Sequence, residues 1–303
     1  MEIDDSLIKN RYGYYEVKNK PGNEELRDLY FSYFGDPDSD NHQTDYSEEE
    51  VNYILNKLEQ KYQLIMELTE NKKEKGRFLD VGTGEGWALR FFQNKGWNPI
   101  GLDYTDTGCK RYNPDCLKHL NVGDACDSLA QLTADKTKFD IIWLDNVLEH
   151  LPDPYKMLVS LTKLITDTGM LMVEVPNDFS PIQRHLVDER IVSKPYWQAA
   201  MHHLSYFNAD GLQLLCSDAG WECKSLLSDF PIELFLFNEK TNYVDNPAIG
   251  KTCHQSRIKI ENMLHDISLQ KTNEMYKALA RLNIGRVITA VFKKKITVAS
   301  GSV

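Results

Sequence analysis

A strand, a glycine-rich turn and a second strand that ends in a carboxylate constrain this chain most strongly. The first strand and the turn read Phe78-Leu-Asp-Val-Gly-Thr-Gly-Glu-Gly-Trp87, and Asp103 closes the second strand. Glycines have no Cβ, so they let the backbone turn tightly and come close to a ligand. A carboxylate at the end of the second strand is placed to accept hydrogen bonds from ribose hydroxyls. The segment therefore predicts a nucleotide-binding βαβ unit.

The spacing of Gly82, Gly84 and Gly86 narrows the choice of nucleotide. It gives G-x-G-x-G, whereas dinucleotide-binding turns carry G-x-G-x-x-G and Walker loops need G-x-x-x-x-G-K-[ST]. Asp80 precedes the turn, where a carboxylate would repel a pyrophosphate but suit a ligand that carries an ammonium and a sulfonium. The turn therefore favours a cationic nucleoside ligand over a dinucleotide.

Composition excludes several classes of function. The 303 residues are 42% hydrophobic and carry a formal net charge of −10, which allows a sizeable core and disfavours nucleic acid as a partner. The chain shows neither a signal-peptide pattern at its start nor an apolar run of membrane-spanning length. The six cysteines include no CxxC pair, so a structural zinc site is not expected. We expect a cytoplasmic protein without an integral membrane segment.

Strand and helix patterns alternate along most of the chain, which predicts an α/β fold with helices on both faces of a parallel sheet. Strands are predicted at 77–81, 98–103, 119–122, 139–145, 169–175, 221–227 and 286–292. The segment 176–207 is polar and aromatic and has no clear periodicity.

Three regions are expected. Residues 1–75 form an N-terminal helical cap, with helices over 23–34 and 47–69. Residues 76–230 and 284–295 form the nucleotide-binding core. Residues 231–283 form a helical insertion, interpreted as a lid or a dimerisation element, so a homodimer is expected through it.

Four motifs in order resemble those of the class I S-adenosylmethionine-dependent methyltransferases, in particular ubiquinone-type and bacterial sugar- and polysaccharide-modifying members. They are Asp80–Gly86, Asp103, Gly123-Asp-Ala125 and Phe139–Pro154, and the later segment His203–Asn208 is also similar. The resemblance implies a Rossmann-like seven-stranded sheet, parallel except for the last strand, with N-terminal helices and a C-terminal helical insertion. It also implies S-adenosylmethionine as the methyl donor and S-adenosylhomocysteine as the product.

The resemblance assigns roles to residues of this sequence. Asp103 matches the acidic residue that grips the ribose, and Asp124 matches the one that contacts the adenine amine. The residues predicted to bind the cofactor are Asp80, Gly82, Gly84, Gly86, Asp103, Tyr104, Asp124, Ala125 and Asp145.

A general base is needed where the methyl acceptor is a hydroxyl, because the hydroxyl pKa lies far above 7. The candidates follow the carboxyl ends of the strands, where open α/β sheets bind ligands: His203, Asp178 and His150. Ubiquinone-type members bind a divalent cation through an E-x-x-E-H pattern, but this chain has Asn146 at the first position. Losing one carboxylate removes a full charge from a hard-cation site, so no metal is predicted.

The acceptor is expected to be a small molecule or a glycan. Residues 176–207 combine aromatic faces with hydrogen-bonding groups, including Arg184, Tyr196 and Trp197, which suits a sugar or nucleotide-sugar in surface-polysaccharide biosynthesis. The alternative explanation is that Tyr196 and Trp197 belong to the core of a lid and that Arg184 forms a surface ion pair. Two alternatives stay open: a methyltransferase for a phenolic or polyprenyl metabolite, and a non-catalytic S-adenosylmethionine-binding subunit.

Overall fold

The computed structural model describes residues 3–22, 25, 45–69, 75–198 and 203–296. The strands are β1 (Leu7–Lys9), β2 (Tyr15–Val17), β3 (Arg77–Val81), β4 (Asn98–Asp103), β5 (Leu120–Val122), β6 (Phe139–Asp145), β7 (Ile165–Pro176), β8 (Ser205–Tyr206), β9 (Trp221–Ser228) and β10 (Val287–Lys294). The α-helices are α1 (Glu48–Leu68), α2 (Trp87–Asn94), α3 (Thr107–Tyr112), α4 (Ala125–Ala134), α5 (Pro154–Leu161), α6 (Pro181–Asp188), α7 (Ala209–Asp218) and α8 (Gly250–Arg281).

Seven of the strands form one sheet in the order β5-β4-β3-β6-β7-β10-β9. Strands β3 to β7 pair in parallel, and β10 runs antiparallel to both of its neighbours, β7 and β9. The predicted Rossmann-like sheet, parallel except for the last strand, is confirmed.

Both faces of the sheet are buried, as a parallel sheet requires. In β6, Ile142 and Leu144 join one hydrophobic core, while Ile141 and Trp143 join the core beneath α1 and α2. Because side chains alternate along a strand, Asp145 lies on the same face as Trp143. The α1 face of the sheet therefore carries polar groups where its parallel strands end.

Helix α1 agrees with the predicted helix. Ser47 accepts a hydrogen bond from the amide of Glu50, whose side chain accepts one from the amide of Ser47. Such a cap contributes about 1 kcal/mol. The apolar side of the helix packs on the core through Leu58, Tyr62 and Ile65.

The start of the chain differs from the predicted helical cap. Strands β1 and β2 pair as an antiparallel hairpin, and β2 also pairs with β8. The tight turn depends on Gly13, whose φ is 89°. These strands are too short to leave a period-2 pattern in the sequence. The helix predicted over 23–34 lies outside the described residues, apart from Glu25.

The segment 176–207 contains regular structure that periodicity missed. Helix α6 begins at a capping box of Ser180 and Gln183 and is only eight residues long. Strand β8 has two residues and depends on β2 for its pairing. Both elements are shorter than the window over which a hydrophobic period can be recognised.

The insertion 231–283 is helical, as expected, and its main element is α8. Ser268 has a φ of −173° and interrupts this helix. Helix α8 packs on α1 of its own chain, where Nδ2 of Asn56 donates to Oδ1 of Asn262 at 2.9 Å. The homodimer expected through this insertion stays a prediction.

Candidate active site

The glycine turn between β3 and α2 has a backbone conformation that residues with a side chain rarely adopt. Gly82, Gly84 and Gly86 have φ values of 81°, 56° and 79°, in the left-handed region that favours glycine. A Cβ on Gly82 would lie 2.3 Å from Cγ2 of Val147, whereas a Cβ on Gly84 would meet no atom within 4 Å. The turn is closed by packing at Gly82 and open at Gly84, where a ligand can approach the backbone.

Asp103 is held against this turn. Its Oδ2 accepts a hydrogen bond of 2.7 Å from the amide of Gly84, and its Oδ1 accepts one of 3.0 Å from the amide of Thr105. Burial raises the pKa of Asp103. Each carboxylate oxygen has a further lone pair, so a carboxylate fixed in this way can still accept from two neighbouring hydroxyls.

Asp124 caps helix α4. Its Oδ1 accepts from the amides of Cys126 at 2.6 Å and Asp127 at 3.3 Å, and its Oδ2 accepts from the hydroxyl of Tyr104 at 2.9 Å. Burial and this hydrogen bond raise the pKa of Tyr104. The capping role orients the carboxylate independently of any ligand.

A cavity of about 830 Å³, the larger cavity, opens beside the ends of β3 and β4. Its volume lies in the usual range for small-molecule sites. The larger cavity is lined by five of the residues predicted to bind the cofactor: Gly82, Asp103, Tyr104, Asp124 and Ala125. His150, predicted as catalytic, also lines it.

A second cavity of about 440 Å³, the smaller cavity, lies between α1, α8 and the sheet. Gly82 lines both cavities, so they meet at the glycine turn. The predicted cofactor residues Asp80, Gly84 and Asp145 line the smaller one. The other charged side chains on its walls are Lys57, Lys61, Glu174, Asp229 and Arg257.

Asp80 is a buried carboxyl in the smaller cavity, with 3% of its surface exposed. Burial, together with the charges of Asp145 and Asp103, raises its pKa well above the ordinary value. A cation bound beside it would favour its charged form. This environment fits the expected ammonium and sulfonium ligand.

Asp145 lines the smaller cavity as a partner of Lys61. The ammonium of Lys61 lies 2.6 Å from Oδ2 of Asp145 and 3.0 Å from Oε2 of Glu174. Burial by itself lowers the pKa of Lys61, but the charges of Asp145 and Glu174 outweigh burial and raise it. The lysine ammonium thus bridges two carboxylates at the ends of neighbouring strands.

Three residues after β6 and before β8 converge. Glu149, His150 and His203 each present one ligand atom, and these atoms lie within 4.8 Å of one another. The rings of His150 and His203 are 5.1 Å apart. Two of the predicted catalytic residues are therefore adjacent.

This cluster holds one carboxylate and two imidazoles. Burial raises the pKa of Glu149 well above its ordinary value, helped by the charges of Asp178, Asp145 and Glu174. Hard cations prefer several charged oxygen ligands, whereas imidazole suits zinc-like ions. The donor set therefore does not fit the hard divalent cation that the resemblance implies.

Asp178, the third predicted catalytic residue, lines neither cavity. It is fully buried, and its Oδ1 lies 3.5 Å from Nη1 of Arg286. Burial raises its pKa to about 7, although the Arg286 charge opposes the shift. Asp178 is thus outside both cavities, although its charge acts on Glu149 of the histidine cluster.

The residues of 176–207 proposed for acceptor binding are one exposed arginine and two packed aromatic residues. Arg184 is exposed. Trp197 is buried in a small core, with its ring 5.6 Å from that of Phe179, and Tyr196 packs beside it at 5.3 Å. Packing accounts for both aromatic residues.

Sequence reasoning missed the cationic groups of the smaller cavity. Lys57 and Lys61 lie on the apolar stripe of α1, three residues after Ile54 and Leu58. A lysine on the buried side of an amphipathic helix indicates a buried ion pair, and that signal was present. No comparable signal marked Arg257, because its place in the cavity depends on the packing of α8 on α1.

A family description of a methyltransferase domain matches residues 52–226, more than half of the chain. The chain belongs to the methyltransferase domain family. Its Rossmann-like sheet and the order of its motifs are those of the class I S-adenosylmethionine-dependent methyltransferases.

Curated relatives of this methyltransferase cover part of it. The ubiquinone biosynthesis O-methyltransferase of Coxiella burnetii (strain RSA 493 / Nine Mile phase I) is 29% identical over 126 residues, which are 41% of this chain and 52% of that protein. The chloroplastic tocopherol O-methyltransferase of Arabidopsis thaliana is 24% identical over 202 residues, 61% of this chain and 58% of that protein. The match therefore spans little more than half the length of these relatives.

Solved structures share the fold. A plantazolicin methyltransferase, BamL, in complex with S-adenosylhomocysteine superposes with a TM-score of 0.52 at 13% identity, covering 90% of this chain and 97% of that one. The Burkholderia thailandensis 1,6-didemethyltoxoflavin-N1-methyltransferase gives 0.51 at 11% identity, covering 98% and 99%. None of the helices in the described ranges combines the length and apolar character needed to cross a bilayer.

Proposed function

We propose that this methyltransferase O-methylates a sugar, nucleotide-sugar or surface-glycan precursor in the cytoplasm. The observation that carries the proposal is the charged wall of the smaller cavity, which continues from the glycine turn past Asp145 and Glu174 to Arg257. A polar acceptor rich in hydroxyls can hydrogen-bond to these charged groups, whereas an apolar ring would displace their water without replacing its hydrogen bonds.

The cofactor would lie across both cavities. Its ribose hydroxyls would bind Asp103 and its adenine would lie near Asp124 and Ala125, all in the larger cavity. Its methionine part would pass Gly82, which lines both cavities, and bring its positive charges beside Asp80. Supporting this placement, Asp80 is a buried carboxyl with a raised pKa that a cation would stabilise in its charged form.

The reaction is a single in-line displacement. The acceptor oxygen forms a bond to the methyl carbon as the carbon–sulfur bond breaks, and the electron pair of that bond returns to sulfur as neutral thioether. The hydroxyl proton passes to a base, for which we propose His203 beside His150, with Asp178 as a less accessible candidate. Alignment of the reactants can contribute roughly 7–11 kcal/mol to lowering the barrier.

A phenolic or polyprenyl acceptor is the second candidate. The names of the ubiquinone and tocopherol O-methyltransferase relatives favour it, and so do the apolar side chains that line the larger cavity. These include Leu102, Leu129, Val147 and Met157.

An acceptor screen tests the proposal. The protein is incubated with S-adenosylmethionine carrying a labelled methyl group and with sugars, nucleotide-sugars, glycan fragments and phenols, and products are identified by mass spectrometry. We expect label on a hydroxyl of a sugar-type acceptor. Label on phenols alone would establish the second candidate, and tight cofactor binding without transfer to any acceptor would indicate a non-catalytic subunit.

A further inference from the structure

The wall of the smaller cavity farthest from the glycine turn carries a guanidinium without a full set of partners. Arg257 projects from α8, and its side chain is 14% exposed. Its Nε is buried and makes no hydrogen bond. The carboxylates around it, Asp229 and Glu261, are both 3.8 Å away, beyond hydrogen-bond distance. At its outer edge, Nη2 lies 3.2 Å from Nδ1 of His254.

Glu261 is already neutralised by other groups. Its Oε2 lies 3.2 Å from the ammonium of Lys57 and accepts a hydrogen bond of 2.7 Å from the hydroxyl of Tyr276. The charge of Arg257 is therefore not cancelled by Glu261 alone. Lys57 and Arg257 face two carboxylates, Glu261 and Asp229, and the buried Nε of Arg257 still has no hydrogen-bond acceptor.

Asp229 is fixed next to this guanidinium. Its Oδ1 accepts from the amides of Arg286 at 2.7 Å and Val287 at 3.0 Å, while Oδ2 is on the side of Arg257. Burial, with the charge of Glu261, raises the pKa of Asp229 to about 7. A carboxyl held at one oxygen can use the other to bind a hydroxyl of a ligand.

This wall lies at the start of β10, away from the cofactor's methionine part. Strands β6 and β7 separate β10 from β3, and three strand spacings amount to about 14 Å. In the methionine part of the cofactor, a short chain joins the sulfonium to the carboxylate. If it starts at the turn after β3, this chain covers only part of that distance. Arg257 is therefore placed to meet the acceptor.

We propose that Arg257 and Asp229 form an acceptor subsite that binds a carboxylate on the acceptor and an adjacent hydroxyl, so that the substrate is a hydroxylated acid such as an acidic sugar. The planar guanidinium fork matches a carboxylate in geometry, and the Nε of Arg257 lacks a hydrogen-bond acceptor that such a carboxylate would supply. The inference rests on the proposed methyl transfer to a polar acceptor and names its class.

The test compares glucuronate with glucose as acceptors, in the wild type and in Arg257→Met. We expect the wild type to show at least tenfold higher kcat/KM for glucuronate, and the variant to lose that preference. The matched control is Arg281→Met, an exposed arginine of the same helix, which should keep it. Equal kcat/KM for glucose and glucuronate in the wild type, or an unchanged preference for glucuronate in Arg257→Met, would overturn the inference and leave the proposed sugar methylation intact.

Binding measurements separate the subsite from the cofactor site. In calorimetry, Arg257→Met should bind S-adenosylhomocysteine like the wild type, and glucuronate should bind the S-adenosylhomocysteine complex of the wild type at least tenfold more tightly than that of the variant. Asp229→Asn, which keeps an oxygen for the two amides, gives a second variant with the same expected loss. A fall in S-adenosylhomocysteine affinity in Arg257→Met would assign the arginine to the cofactor carboxylate instead, and absence of glucuronate binding to the wild-type complex would also overturn the inference.

Discussion

The carboxylate of Asp103 is hydrogen-bonded through Oδ2 to the amide of Gly84, at 2.7 Å. This contact within the protein joins the end of β4 to the open position of the glycine turn and needs no ligand. The contact pre-organises the predicted ribose-binding group, and pre-organisation lowers the ordering cost of binding.

Replacement of Asp103 by Ala should weaken S-adenosylmethionine binding at least tenfold, or about 1.4 kcal/mol. The variant loses both the acceptor for the ribose hydroxyls and the tie to Gly84. Titration calorimetry measures the change, and Asp115→Ala, at an exposed aspartate, is the control. Unchanged affinity in Asp103→Ala would refute the assignment of this residue.

Lys61→Met should destabilise the protein by about 3–5 kcal/mol, the typical cost of removing one partner from a buried ion pair. Lys61 contacts Asp145 and Glu174, so the substitution leaves two buried carboxylates without their cation. Denaturant unfolding gives the free energy, with Lys118→Met at an exposed lysine as the control. A loss of unfolding free energy no larger than that of Lys118→Met would show that water or another cation screens Asp145 and Glu174.

Elements whose structure depends on residues close together in the chain could be predicted from the sequence. Gly82, Gly84 and Gly86 predicted a tight turn, and the helix predicted over 47–69 corresponds to α1. The β1–β2 hairpin and β8 were missed because two- and three-residue strands are stabilised by partners distant in the chain, and no local pattern records that pairing.

The candidate site was predictable on its cofactor side and less so on its acceptor side. Motif spacing predicted Asp103, which ends β4, and Asp124, two residues after β5, as cofactor residues, and both line the larger cavity. Asp178 also follows a strand, yet the fold buries it against Arg286, more than 100 residues later. Arg257 lines the cavity only because α8 packs on α1, and such a contact depends on tertiary packing.

Stability should depend on pH through Asp178. Burial raises its pKa to about 7, from 3.8, so the folded protein retains a proton that the unfolded chain releases. This contribution is fully present below about pH 4 and is lost as the pH rises to about 7. Between pH 5 and pH 8, the unfolding free energy of the wild type should therefore fall relative to Asp178→Asn, by on the order of 2 kcal/mol.

Denaturant titrations of both proteins at several pH values measure this difference. Asp229, whose pKa is also raised to about 7, titrates in both proteins and cancels. Asp167→Asn, at an exposed position, should show no such pH-dependent difference. A constant difference between the wild type and Asp178→Asn would mean that Asp178 is charged throughout, with Arg286 as its effective partner.

His203→Ala should lower turnover roughly 10²–10⁴-fold, the range expected for loss of a general base, while S-adenosylmethionine affinity stays close to the wild-type value. His203 lies 5.1 Å from His150 between ring centres, and His150 lines the larger cavity. His185→Ala, at an exposed histidine of α6, is the control. Because no metal is predicted at Glu149, His150 and His203, wild-type turnover should persist in a chelator. Turnover lost in the chelator and restored by a divalent ion would replace the base at this cluster with a metal site, and full activity of His203→Ala would move the base elsewhere.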